Sequence, residues 1–219
     1  MVELQSSPTE LTTAATDLAL ALGCAGAVWR LGPGRPGDAW RRRLWKAVFA
    51  LVGLASLLGA VVHGVMLPAA LVAALWHPLY LGLGLAVALI LVGALLDARG
   101  QVLARRGLWP ALGAGLAAYG VTQMLDGAFV VFLIYQGLAT AAALALYTGL
   151  AVRGRLPGAA TVTVALALNL VAAAVQASDL SLRLIWPFDH NGLFHLLLLP
   201  ALGLLYAGIA QGQSQPPPG

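Results

Sequence analysis

Seven apolar runs decide what this chain can fold into. Each is close to the ~20 residues that a helix needs to cross a hydrocarbon layer, and the short segments between them carry nearly all the charge. The runs cover roughly 12–29, 45–66, 78–96, 108–125, 128–151, 159–177 and 191–210 of 219 residues. Side chains are 60% hydrophobic and 9% charged, too little charge to cover a water-soluble core of this size. The expectation is an all-α, polytopic membrane protein, a bundle of seven transmembrane helices with no extramembrane domain. Residues 1–11 form an outer N-terminal segment, 12–210 the helical domain and 211–219, with its Pro216-Pro217-Pro218 run, a disordered tail. Asp126-Gly127 separates the fourth and fifth runs and reads as a tight turn.

Charge sets the orientation. Eleven of the twelve basic residues fall on one side: Arg30, Arg35, Arg41, Arg42, Arg43, Lys46, Arg99, Arg105, Arg106, Arg153 and Arg155, with only Arg183 opposite. The positive-inside rule makes that side cytoplasmic, so the N-terminus lies outside and the C-terminus inside. Basic clusters beside spans act as topology signals and anionic-lipid anchors, not as a nucleic-acid surface. Trp29, Trp40, Trp45, Trp76, Trp109 and Trp186 fall near run ends, where indole favours the headgroup level. The acidic start, with Glu3 and Glu10, does not read as a cleaved signal peptide. The lone Cys24 excludes an intrachain disulfide and CxxCH haem attachment. Lys46, the one lysine, lies in a cytoplasmic loop, so no span offers a Schiff-base amine for retinal. The Ala/Leu/Gly/Arg-rich vocabulary points to a bacterial plasma membrane.

With this topology all four histidines reach the outer face: His63 near the end of span 2, His77 at the start of span 3, and His190 and His195 opening span 7. Polar stripes point the same way. Ser56 and His63 are seven apart on span 2; Tyr119, Gln123 and Asp126 are spaced i, i+4, i+7 on span 4; Asn169 and Gln176 are seven apart on span 6; Asn191 and His195 are four apart on span 7. Asp17 lies in the outer half of span 1, and Asp189 is placed to cap span 7. Ionisable groups inside a bilayer are costly and mark function, so these stripes predict a polar pocket open to the outside. The inner half, nearly all Ala, Leu, Val and Gly, argues against a through-channel. Gly82, Gly84, Gly113 and Gly115 are candidates for close helix contacts.

Neutral imidazoles suit zinc, and a catalytic zinc keeps three protein ligands and an open water position. His63 and His195, with His190 or His77 as third ligand, form such a candidate set, with Asp126 or Asp17 as the base. The seven spans, the span-2 histidine and the histidines opening span 7 resemble the ceramidase/progestin-adipoQ-receptor superfamily of membrane hydrolases. That resemblance implies a zinc site and a lipid amide or ester substrate. In the superfamily, span 2 carries Ser-x3-His, span 3 an Asp and span 7 His-x3-His. Here Gly59 stands four before His63, span 3 has no intramembrane Asp, and Asn191 occupies the first place of the span-7 pair. The Phe188-Asp189-His190-Asn191-Gly192-Leu193-Phe194-His195 segment also resembles that of a bacterial membrane family with no assigned activity. Three functions remain open: a zinc-dependent lipid hydrolase, a non-enzymatic membrane protein binding a ligand or partner in the pocket, and a b-type haem protein with paired histidine ligands.

Overall fold

The computed structural model describes residues 3–32, 39–125 and 127–214. It is all-α: α1 (Pro8–Arg30), α2 (Ala39–Gly64), α3 (Ala69–Arg99), α4 (Gln101–Met124), α5 (Phe129–Val152), α6 (Ala159–Gln176) and α7 (His190–Ser214). One small antiparallel ribbon, β1 (Leu182–Arg183) with β2 (Pro187–Phe188), leads into α7. Its strands are too short to carry a period-two pattern, and nothing in the sequence announces them. Arg35, Asp38, Asp126 and residues 215–219 lie outside the described residues.

Local chemistry starts and stops these helices where the loops must be. The Ser7 side chain accepts from the Glu10 N–H at the head of α1, and Pro8 opens the helix where no N–H is needed. The Asp189 carboxylate accepts the Gly192 N–H at 2.9 Å and so caps α7. Gly100, alone between α3 and α4, takes φ +85°, and Gly127 takes φ +79° between α4 and α5. Left-handed backbone of this kind favours glycine, and it lets each chain reverse within a few residues.

Among the described residues, six helices are long and apolar enough to cross a membrane: α1, α2, α3, α5, α6 and α7. Helix α4 is not among them: Gln101, Arg105 and Arg106 occupy its first turns, and the uncharged remainder carries Trp109, Pro110, Tyr119 and Gln123 among its glycines. The same six helices form a closed ring, α1–α2–α3–α5–α6–α7 and back to α1, while α4 packs outside it, mainly on α3. Contact there is backbone on backbone: a Cβ built on Gly115 would stand 2.7 Å from the Gly84 carbonyl oxygen. Gly84 and Gly115 therefore do let helices touch. Gly113 faces open space and makes no such contact.

Several helices begin ahead of their apolar runs, α1 at Pro8 rather than 12, α2 at Ala39 rather than 45 and α4 at Gln101 rather than 108. α3 begins at Ala69 rather than 78, so His77 and Pro78 lie inside a helix. An internal proline is tolerated where lipid and neighbouring helices replace water as the backbone's surroundings. α7 continues past 210 to Ser214. The N-terminal segment is also ordered before α1. The Met66 N–H donates to the Glu3 carbonyl and the Gln5 N–H to the Gly64 carbonyl, pinning the lead-in against the α2–α3 link.

The densest packing lies at the end away from the ribbon, around Trp45, Val48, Phe49, Val92, Ala143, Tyr147, Val162 and Ile209. Trp45 is fully buried there, with its ring over Gly93. Its ring faces the bundle interior, because the absent Cβ at 93 opens a slot for it. Trp29, Trp109 and Trp186, by contrast, are well exposed.

That end also holds a buried polar cluster. Arg41 grips Asp97 through two nitrogens, Nε to Oδ1 at 2.6 Å and Nη2 to Oδ2 at 2.9 Å, and donates to the Ile209 carbonyl. The Tyr147 hydroxyl donates to Asp97 Oδ2 at 2.6 Å. One carboxylate thus ties α2, α3 and α5 together, and Arg41 carries the tie on to α7. Asp97 and Arg41 read as loop charges in the sequence. Only the fold brings them together under cover.

Candidate functional site

A cavity of about 390 Å³ occupies the centre of the ring, near the ribbon end. All six ring helices line it, and α4 contributes nothing. Its ionisable groups gather at one end, Asp17, His63, His190 and His195 with Ser56, Gln176 and Asn191, while Gln136, Thr140 and Asn169 line it farther in. Its far end is closed by Ala86, Ile90, Ala165, Leu202 and Leu205. From His195 to Leu205 is ten residues of one helix, about 15 Å at 1.5 Å per residue.

The polar end is built as a ladder between the antiparallel helices α1 and α2. Glu10 and Asp17 are seven apart on α1, as are Ser56 and His63 on α2. Antiparallel packing pairs the first of one set with the last of the other. His63 Nδ1 meets Glu10 Oε2 at 2.7 Å, and Asp17 is hydrogen-bonded to the Ser56 side chain. A seven-residue spacing returns each pair to the same helical face, so both rungs look into the ring.

Gly59 makes room for the deeper rung. A Cβ built there would stand 2.4 Å from Asp17 Oδ2, so the carboxylate of α1 occupies the space that a side chain at 59 would fill. The departure from Ser-x3-His noted in the sequence therefore has a local reason: α1 supplies an acid where α2 supplies no side chain.

On the far side of Asp17 stands His195, with Nε2 3.5 Å from Asp17 Oδ1. Its Nδ1 lies 3.2 Å from the Thr16 hydroxyl. That hydroxyl already donates to the Thr12 and Thr13 carbonyls, so toward the ring it acts as acceptor and Nδ1 carries the proton. In a neutral imidazole Nε2 is then bare and faces an acid. A proton on either group would face the other across this 3.5 Å gap. Thr13 donates to Asp189 Oδ1 at 3.3 Å, locking α1 to the cap of α7, and Thr12 donates to the Pro187 carbonyl at 2.8 Å, docking the ribbon on α1.

A second ladder runs along α6. Gln136 donates to Asn169 at 3.2 Å deep in the cavity, and Gln176 donates to Asn191 near its polar end. Gln176 keeps its Oε1 buried with no partner. The remaining wall is aromatic. Trp76 stacks on Tyr80 at 5.4 Å, Tyr80 meets Phe129 at 6.0 Å and Phe129 meets Phe132 at 5.5 Å.

Of the sequence-derived candidates, His63, His190, His195, Asp17, Ser56, Asn169, Gln176 and Asn191 line this cavity. His77, Tyr119 and Gln123 do not. His77 is exposed and its Nδ1 lies 3.3 Å from the Tyr119 hydroxyl, on the α3–α4 face. Gln123 is on the same outlying helix, with its Nε2 buried and unpaired. The stripe on α4 is real, but α4 sits outside the ring and cannot present it to the cavity. Asp126, its last member, lies outside the described residues. Residues overlooked in the sequence are Glu10, Thr12, Thr13, Thr16, Gln136 and the aromatic wall. Glu10 could have been found from its seven-residue spacing to Asp17.

A zinc site needs three or four donors converging on one point. Two ligands on a tetrahedral zinc stand about 3.4 Å apart, given bonds of ~2.0–2.1 Å, and His195 Nε2 and Asp17 Oδ1 are at that separation. The third ligand is missing. His63 is turned to Glu10 and His77 to Tyr119, and among the described residues no three His, Cys, Asp or Glu side chains gather as a metal site. The arrangement described here does not complete a zinc site.

Residues 12–214 match the model of DUF6962, a family of unknown function, and the chain belongs to that family. No curated protein and no solved structure matches the chain.

Proposed function

We propose that this DUF6962 protein is a seven-span integral membrane protein that binds a single-chain amphiphile in its central cavity. The N-terminus and the polar end of the cavity face outward, which in a bacterial plasma membrane is the periplasmic side, and the amphiphile enters from the outer leaflet. The observation that carries this reading is the one-way polarity of the cavity. Carboxylate and imidazole groups collect at one end, and a wall that is apolar except for Gln136, Thr140 and Asn169 runs on for about 15 Å. Large apolar side chains around the outside, among them Leu22, Leu57, Leu116, Ile134, Leu138 and Val171, are exposed, as lipid-facing residues must be. The concentration of Arg at the Asp97 end supports the orientation. Native mass spectrometry of the protein released from nanodiscs is expected to retain one single-chain amphiphile per chain. An Ala201→Trp variant, whose indole fills the cavity, is expected to lose it. Equal retention by both proteins would contradict the reading.

A zinc-dependent lipid amide or ester hydrolase, related to the ceramidase/progestin-adipoQ-receptor superfamily, is the second reading. The 3.5 Å separation of His195 Nε2 and Asp17 Oδ1 favours it. In that case His63 leaves Glu10 and becomes the third ligand. Elemental analysis of purified protein decides the matter. Near-stoichiometric zinc that His63→Ala and His195→Ala both abolish establishes the second reading, and zinc-free protein after zinc loading removes it. A visible absorption spectrum taken on the same sample tests the b-type haem alternative.

A further inference from the structure

We propose that the cavity selects an amphiphile with a cationic head, an alkylammonium, because an acid, an unpartnered amide oxygen and a continuous aromatic wall meet at its polar end. The proposal rests on the amphiphile reading above and names the chemistry of the head.

Charge is the first argument. No Lys or Arg lines the cavity among the described residues, while Asp17 does, and Glu10 stands behind His63. The other ionisable side chains at this end are the imidazoles of His63, His190 and His195. The cavity thus carries a carboxylate and no ammonium or guanidinium of its own to attract an anion. An anionic head, such as a fatty-acid carboxylate, would face Asp17 with no cation to pair it, a desolvated like-charge contact.

Unused hydrogen-bonding capacity is the second. Gln176 Oε1 is buried and unpartnered, and a buried acceptor of this kind calls for a donor. Asp17 accepts from Ser56 on one side and faces the bare Nε2 of His195 on the other. An ammonium brings three N–H donors and no acceptor, which suits a carboxylate and an unpartnered amide oxygen that only accept. A hydroxyl head offers one donor only.

The wall is the third. Trp76 stacks on Tyr80, Tyr80 adjoins Phe129, and the edge of His63 meets Trp76 at 5.9 Å. Aromatic faces attract cations most strongly where water is excluded, and Phe132 and Leu83 then continue as the bed for the chain.

The test compares three twelve-carbon probes that differ only in the head: dodecylammonium, dodecanol and dodecanoate. Each is measured by competition against a labelled alkyl chain on protein in zwitterionic nanodiscs, with empty nanodiscs subtracting bulk partition. Dodecylammonium is expected to bind at least tenfold more tightly than dodecanol, with dodecanoate weakest. Asp17→Asn is expected to cut the ammonium-to-alcohol ratio to less than threefold. Gln176→Leu, which leaves the α1–α2 ladder intact, is expected to lower it by a smaller factor, so a folding failure at 17 does not remove the test. Equal binding of ammonium and alcohol, a preference for dodecanoate, or a ratio unmoved in both variants would overturn the cationic head and leave the amphiphile reading standing. No saturable binding of any probe would overturn both.

Discussion

Asp97→Asn is expected to be the most destabilising single change in this protein, by about 3–5 kcal/mol, the range for breaking a buried ion pair. The reason is the environment of the carboxylate. It is 3% exposed and receives two N–H bonds from Arg41 and one O–H from Tyr147. Asparagine keeps the shape but presents an amide N–H₂ to one of those donors and removes the negative charge that the Arg41 guanidinium now grips. Four helices meet at this point, so the loss spreads beyond one contact. Tyr147→Phe removes a single hydrogen bond to a charged acceptor and is expected to cost about 1.5–3 kcal/mol. Unfolding in a graded series of mixed micelles measures both. An Asp97→Asn protein as stable as the parent would show that the cluster contributes nothing net.

The second large effect is expected at Gly59, where stability and binding separate. Gly59→Ala puts a methyl 2.4 Å from the present position of Asp17 Oδ2, so the carboxylate must swing off its Ser56 and His195 partners. Overpacking of this sort costs about 1–3 kcal/mol. Displacing the acid from the cavity is expected to weaken amphiphile binding by about tenfold or more, equivalent to ~1.4 kcal/mol or more. Gly137→Ala is the control, because a Cβ there meets nothing within 4 Å. Isothermal competition binding and a melting curve on the same preparations give the two readouts. If Gly59→Ala binds as the parent does, Asp17 is not part of the site.

Both effects arise where sequence reasoning stopped. The helices themselves were legible, because apolar runs of bilayer length separated by charge leave little choice of secondary structure. The polar ends of α2, α6 and α7 were also legible from spacing alone: Ser56 with His63, Asn169 with Gln176, Asn191 with His195. What spacing cannot say is which helices are neighbours. Tyr119 and Gln123 form as good a stripe as any, yet α4 lies outside the ring and the stripe never reaches the cavity. Glu10 and Arg41 failed for a related reason. Each sits near a helix end, where a charge looks solvated until the partner helix is known, and each turns out to face a side chain more than fifty residues away. Gly59 shows a further limit. Read as a missing serine it weakens a motif, whereas in the fold it is the opening through which α1 delivers Asp17.

The central claim is that a chain-like molecule lies in the ring with its head at Asp17 and His195. The most direct test is photolabelling in nanodiscs with a dodecyl probe carrying a diazirine near its terminal carbon, followed by mass-spectrometric mapping of the adducts. The account predicts adducts concentrated on the deep wall, at Val87, Ile90, Leu202 and Leu205, that unlabelled dodecyl chains compete away and that Ala201→Trp abolishes. Adducts spread over the exposed residues Leu22, Ile134, Leu138 and Val171, without competition, would mean that the chain stays in the surrounding lipid and that the cavity is not its site.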